Sequence, residues 1–181
     1  MNPTKLQLEI SSMCNALCYG CARTDKANFN GKLPLIPNKK VLELDILERV
    51  FKQFTTVEDL DFCGTVDDPY MHPQFNELLQ LALDTGIKRV YIHTNGSIRT
   101  PDYWRESAEI LNQFETHILK FSVDGLRDTN HLYRQRTNFD KIMENAQAFI
   151  DAEVIDDSNT IWSSVEQSKK KCTKHLAHNK N

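Results

Sequence analysis

The sequence predicts an α/β fold, a partial (β/α) barrel of about four to five βα units, and three observations carry that expectation. From the second apolar run onward, short runs of strand character recur roughly every 30 residues, with a helical pattern between successive ones. The helical stretches show apolar stripes at i, i+3, i+4 spacing. The unusual residues also fall at one kind of place: Cys14 to Cys21, Gly64 to Asp68, Thr94-Asn95-Gly96 and Ser122 to Gly125 each follow a predicted strand. In a parallel sheet with right-handed crossovers those positions gather at the carboxyl edge, where α/β folds place their sites. The core is expected over residues 1–152, and 153–181 reads as a short polar tail.

The elements follow in order. Leu6, Leu8 and Ile10 alternate with Gln7 and Glu9, which predicts a first strand over 5–11. Residues 24–40 are polar, with Gly31, Pro34 and Pro37, and read as an extended loop. Leu47, Val50, Phe51 and Phe54 mark a helix, and Val57, Leu60 and Phe62 a second strand. Phe75, Leu78, Leu79 and Ala82 share one face of a helix that stops at Gly86. Residues 89–93 form the third strand, after which Thr100 caps a helix with Pro101 at its first position. The fourth strand covers 118–123, and Phe139, Ile142, Met143, Ala146, Phe149 and Ile150 make the last helical stripe. Thr160-Ile161-Trp162 could begin a fifth strand, but the basic stretch after it has no apolar stripe and reads as frayed helix or disorder.

Composition narrows the classes. A chain of 181 residues, 40% hydrophobic and 26% charged, suits one globular domain. Its net charge of −3 provides no basic field for nucleic acid. The first residues carry no basic segment followed by an apolar run, and nothing approaches the ~20 apolar residues of a membrane helix, so the expectation is a cytoplasmic protein. Five cysteines, an odd number with three clustered at metal-ligand spacing, suit a reducing compartment. Cys63 reads as a small buried residue and Cys172 as a surface thiol.

The centre of the sequence is Cys14, Cys18 and Cys21, spaced C-x3-C-x2-C. Thiolates are soft ligands for iron or zinc, and three on one short loop can hold a metal face. Three also leave one coordination position for something that comes and goes, whereas a closed structural zinc needs four ligands. In a Cys3His zinc site, His72 or His93 would be the fourth.

This loop resembles the signature of the radical S-adenosylmethionine (radical SAM) enzymes, and the resemblance extends over about residues 5–152. It implies a truncated TIM-like barrel in which Cys14, Cys18 and Cys21 bind a [4Fe–4S] cluster whose open iron is chelated by SAM. Phe62 to Pro69 resembles the family's Gly-Gly-Glu-Pro segment, implying that Gly64 and either Asp67 or Asp68 receive the SAM amino group; the segment has one extra residue and Asp for Glu. Taken alone, Gly-Asp-Asp-Pro is also an ordinary turn. His93-Thr94-Asn95-Gly96 resembles the Thr-Asn-Gly after the third strand. Ser122-Val123-Asp124-Gly125 is similar to the family's Ser-x-Asp-Gly, where Ser122 and Asp124 would reach the SAM ribose and carboxylate. A hydroxyl and a carboxylate two apart on a strand do share a face.

His131-Leu132-Tyr133-Arg134, with Phe139, resembles a run in the subgroup that includes the SPASM-type peptide- and protein-modifying enzymes, and implies that Arg134 pairs with the SAM carboxylate. Directly before the third cysteine, where the family often has an aromatic residue, this sequence has Gly20, with Tyr19 one position earlier. The implied reaction is reductive cleavage of SAM to a 5′-deoxyadenosyl radical that abstracts hydrogen from a peptide, protein or small-molecule substrate, with an electron donor as partner. Beyond about Glu153 the resemblance fades, so a shortened carboxyl part, a homodimer or a completing partner chain are further expectations. The competing class is a non-catalytic cluster- or zinc-binding scaffold.

Overall fold

The computed structural model describes residues 2–18, 20–21, 23, 40–65 and 67–154. Tyr19, most of the 24–40 loop, Cys172, and the fifth strand and tail expected after 154 lie outside the described residues.

Six strands and five helices are described: β1 Lys5–Gln7, β2 Leu17–Cys18, α1 Leu44–Gln53, β3 Asp59–Phe62, α2 Phe75–Asp84, β4 Arg89–Thr94, α3 Pro101–Leu111, β5 Thr116–Phe121, α4 Asn130–Tyr133, β6 Arg134–Gln135 and α5 Phe139–Ala152. A 3₁₀ turn, Pro69–Met71, stands between β3 and α2. The main sheet has the order β1-β3-β4-β5 with every pair parallel. Helices α1, α2, α3 and α5 follow its four strands in turn, the βα repeat expected from sequence.

Side chains alternate along each strand, and one face takes the apolar set. Leu60, Phe62, Val90, Ile92, Leu119 and Phe121 are buried there under helices contributing Leu47, Phe51, Leu78, Trp104, Leu111 and Phe149. Aromatic rings run through this layer, with Tyr70 3.9 Å from Trp104 and Trp104 5.0 Å from Phe121. At the amino end of β5, buried His117 and Glu153 share a 3.1 Å hydrogen bond that ties the end of α5 to the sheet. The other face is polar. There Lys5 pairs with Asp61 at 3.1 Å, Arg89 with Asp59 at 2.7 Å, and Lys5 also lies over the Tyr91 ring.

The caps at α3 follow the sequence reading: Thr100 accepts a hydrogen bond from the Tyr103 N–H, and Pro101 is the first helical residue. Strand one is shorter than its alternation suggests. After Leu8 donates to Asp61 O, the backbone leaves β3 and pairs with the segment before α1, through Leu42 N to Ile10 O at 2.8 Å and Ser12 N to Lys40 O at 2.9 Å. Residues 10–12 therefore remain extended but change partner. Among the described residues no helix is long and apolar enough to cross a membrane.

Candidate cluster and nucleotide site

The segment from Ser11 to Cys21 is fixed by bonds to the loops that follow two strands, β3 and β4. Ser11 N and Oγ both donate to Asp67 Oδ2, at 2.9 and 3.2 Å. Asp68 N donates to Met13 O at 2.8 Å. Asn95 Nδ2 donates to Asn15 Oδ1 and Asn15 Nδ2 to Ser97 Oγ, each at 2.8 Å. On its far side the loop forms β2, an antiparallel ladder with β6 in which Cys18 faces Arg134.

Asp68 is the hub of this network. It is buried, and its carboxylate accepts from Asn95 N (2.7 Å), Asn95 Nδ2 (2.6 Å), Thr94 Oγ1 (2.9 Å) and Tyr70 N (3.2 Å). Burial pushes its pKa up, while the donors from Asn95, Thr94 and Tyr70 pull it down. Four protein donors around two oxygens suit an ionised carboxylate that organises the turn.

Gly96 holds the next turn at φ +71°, in the left-handed region. A Cβ there would stand 2.4 Å from the Phe121 ring, so glycine satisfies both the backbone and the packing. Asn145 of α5 donates to Gly96 O and Ile98 O, fixing this turn from the helix side.

A cavity of about 200 Å³ opens at the carboxyl edge of the sheet. Of the ten candidate residues, nine line it: Cys14, Cys18, Cys21, Gly64, Asp67, Asp68, Asn95, Ser122 and Arg134. Asp124 stands one shell back and is joined to the wall by a charge-assisted bond from Arg134 Nε. The same guanidinium donates through Nη1 to Cys18 Sγ at 3.5 Å, so one side chain links the thiol loop to the end of β5.

The cavity also takes residues beyond those ten. Cys63, expected in the core, is only partly buried and lines the wall, because it continues the polar face of β3. Arg23, Thr65 and His93 are lining residues as well. For His93 the signal was present in the sequence, since it alternates with Val90 and Ile92 along β4. His72 is no ligand candidate: its Nε2 bonds Leu42 O at 2.8 Å and its Nδ1 accepts from Gln74 N at 3.2 Å.

Burial dominates the electrostatics of the site. Burial, reinforced by the Asp68 charge, pushes the Cys14 thiol up to about 12, and burial raises Cys18 against the pull of Arg134. Burial carries Asp67 up to about 7 despite its bonds from Ser11. Such thiols stay protonated at neutral pH until a soft metal displaces their protons. The three thiols line one cavity, although among the described residues they are not gathered into a ready-made metal-ligand group, and their chemistry fits an iron–sulfur cluster with an open position.

A family model described as the radical SAM superfamily matches residues 8–162. Among solved structures, anSMEcpe with bound AdoMet superposes with a TM-score of 0.63 at 18% identity, over 87% of this chain and 42% of that one. BtrN in complex with AdoMet and 2-DOIA gives 0.54 at 10% identity, over 90% and 57%. SuiB of Streptococcus suis gives 0.51 at 15%, over 98% and 47%. The chain thus spans about half the length of the solved structures it resembles, and at these identities the likeness is one of fold. No curated protein matches the sequence.

Proposed function

The chain belongs to the radical SAM superfamily, and from that premise we propose that Cys14, Cys18 and Cys21 hold a [4Fe–4S] cluster, with S-adenosylmethionine beside it, for hydrogen abstraction from an organic substrate. The observation that carries this reading is convergence. Residues from four strand ends, up to 120 positions apart in sequence, line one cavity of about 200 Å³ together with the three thiols.

When bound, the cluster and SAM supply a reducing electron and a primary carbon radical able to take hydrogen from an unreactive C–H bond. The chain's own residues hold, orient and enclose. Asp68 fixes Asn95, and Asn95 fixes Asn15, which keeps the cysteine loop against the sheet. Gly64, at φ +61°, brings backbone to the cavity wall with no side chain in the way. Ser122 offers a hydroxyl at the end of β5. Arg134, steadied by Asp124, presents a planar cation where a carboxylate would dock. The position of Arg134 also supports the SPASM-like reading of the His131–Arg134 run, although His131 itself is exposed.

His93 on the same wall favours one second reading, a Cys3His zinc scaffold. Anaerobic reconstitution with iron and sulfide separates the two. About four irons per chain, together with 5′-deoxyadenosine when SAM and a strong reductant are added, are the expected results. Cys14→Ala, Cys18→Ala and Cys21→Ala should each lose iron. Zinc retained in place of iron, or full iron in any of the three variants, would overturn the assignment.

A further inference from the structure

We propose that His93 and Lys120 form a subsite for an anionic group, a carboxylate or phosphate, on the substrate that enters the cavity; the proposal rests on the radical SAM reading for the cavity's role. The two residues are register partners on adjacent parallel strands, β4 and β5, so their side chains rise from the same face roughly 4.8 Å apart at the backbone. His93 lines the cavity, and Lys120 is exposed beside Ser122, which lines it too.

The charges across this face are unequal. In the rows below, Lys5 is paired with Asp61 at 3.1 Å, and Arg89 with Asp59 and Glu58 at 2.7 and 3.0 Å. Lys120 has no ion-pair partner among the described residues. One residue past the end of β3, Cys63 falls in the same row as His93 and Lys120, and on the β1 side the Glu9 carboxylate accepts from Thr65 N at 2.7 Å. The row therefore runs from an acid at the β1 side to a cation at the β5 side, and an anion is repelled from one end and drawn to the other.

Burial and the Lys120 charge hold His93 below its ordinary pKa, so at neutral pH it is an uncharged donor beside a cation. An anion placed between them gains one charge-assisted bond from Lys120 and one bond from the imidazole N–H. A substrate with an acidic group at one end and its reacting carbon toward the cysteines fits this polarity.

The test is a titration of the full chain with inorganic phosphate, succinate and, as an uncharged control, succinamide. It is followed by NMR of the histidine rings, with His93 assigned by its loss in His93→Gln. The expected result is a saturable His93 shift with phosphate or succinate and none with succinamide, weakened on the order of tenfold or more in Lys120→Met. A response to phosphate alone marks a phosphorylated substrate, and one to succinate a carboxylate. Circular dichroism confirms the fold of each variant. No saturable shift with either anion, or equal shifts in Lys120→Met, overturns the proposal. In reconstituted protein, anion binding that persists with SAM supports it. Competitive displacement by SAM overturns it, because the pair would then belong to SAM's own carboxylate. The first titration needs neither cluster nor SAM, so its failure is distinct from a failure to load iron.

Discussion

Replacing Asp68 by Asn and by Ala separates a carboxylate that organises the site from one that merely occupies a turn. In the Asn variant the cheapest arrangement puts the amide NH2 at the Oδ1 position, where the Thr94 hydroxyl turns to accept from it. The Tyr70 N–H then loses its acceptor, and the two bonds from Asn95 lose their charge assistance. One buried donor left unsatisfied costs about 1–3 kcal/mol, so the expected loss is about 2 kcal/mol. In Asp68→Ala both Tyr70 N and Asn95 N are orphaned, while Asn95 Nδ2 keeps Asn15 Oδ1, and the loss is about 4 kcal/mol. At roughly 2–4 °C per kcal/mol for a chain of this size, Tm should fall about 4–8 °C for Asn and about 8–16 °C for Ala. Thermal melts by circular dichroism at pH 7 read the stability, and iron content after reconstitution reads the loop. An Asn variant that melts within about 1 °C of the wild type, or an Ala variant that melts with it, would refute the hub.

Gly96→Ala should destabilise by about 2–5 kcal/mol, combining left-handed backbone strain with displacement of the Phe121 ring, and a denaturant melt checks this. Asp67 makes a prediction about pH. Its folded pKa of about 7 lies above its unfolded value, so the folded state holds the proton more tightly, and stability is lost as pH rises from about 4 through 7. Asp67→Asn should flatten that slope between pH 5 and 8 in denaturation midpoints, and an unchanged slope would assign the titration elsewhere.

Much of the fold was legible because it is written in period. The alternation along residues 89–94, the stripes around Leu78 and Ala146 and the Thr100–Pro101 cap are local signals that the sheet and its helices obey. Strand one misled at its end, because Ile10 to Ser12 stay extended while changing partner, and alternation records extension but not pairing. The β2–β6 ladder was not legible at all, since two-residue strands have no periodicity and their pairing joins distant segments. The candidate site was legible as a set of positions. Its internal network was not: the resemblance has either Asp67 or Asp68 receive a bound amine, while the four protein donors around Asp68 come from segments that only the fold brings together. The polar inner face, with Cys63 and His93 on it, could be seen only once register placed the strands side by side.

The ladder between Cys18 and Arg134 also sets an order of assembly. The two residues are 116 positions apart, so on a ribosome adding about 5–20 residues per second the thiols emerge some 6–23 s before the strand that encloses them is made. During that interval the cysteine loop can be held by the amino-terminal half, through Ser11, Met13 and Asn15, but not from its far side. The site is therefore open during synthesis and closes with its last element. Iron delivered before Arg134 is made would meet the thiols from their uncovered side, and the arrival of Arg134 would then cover them.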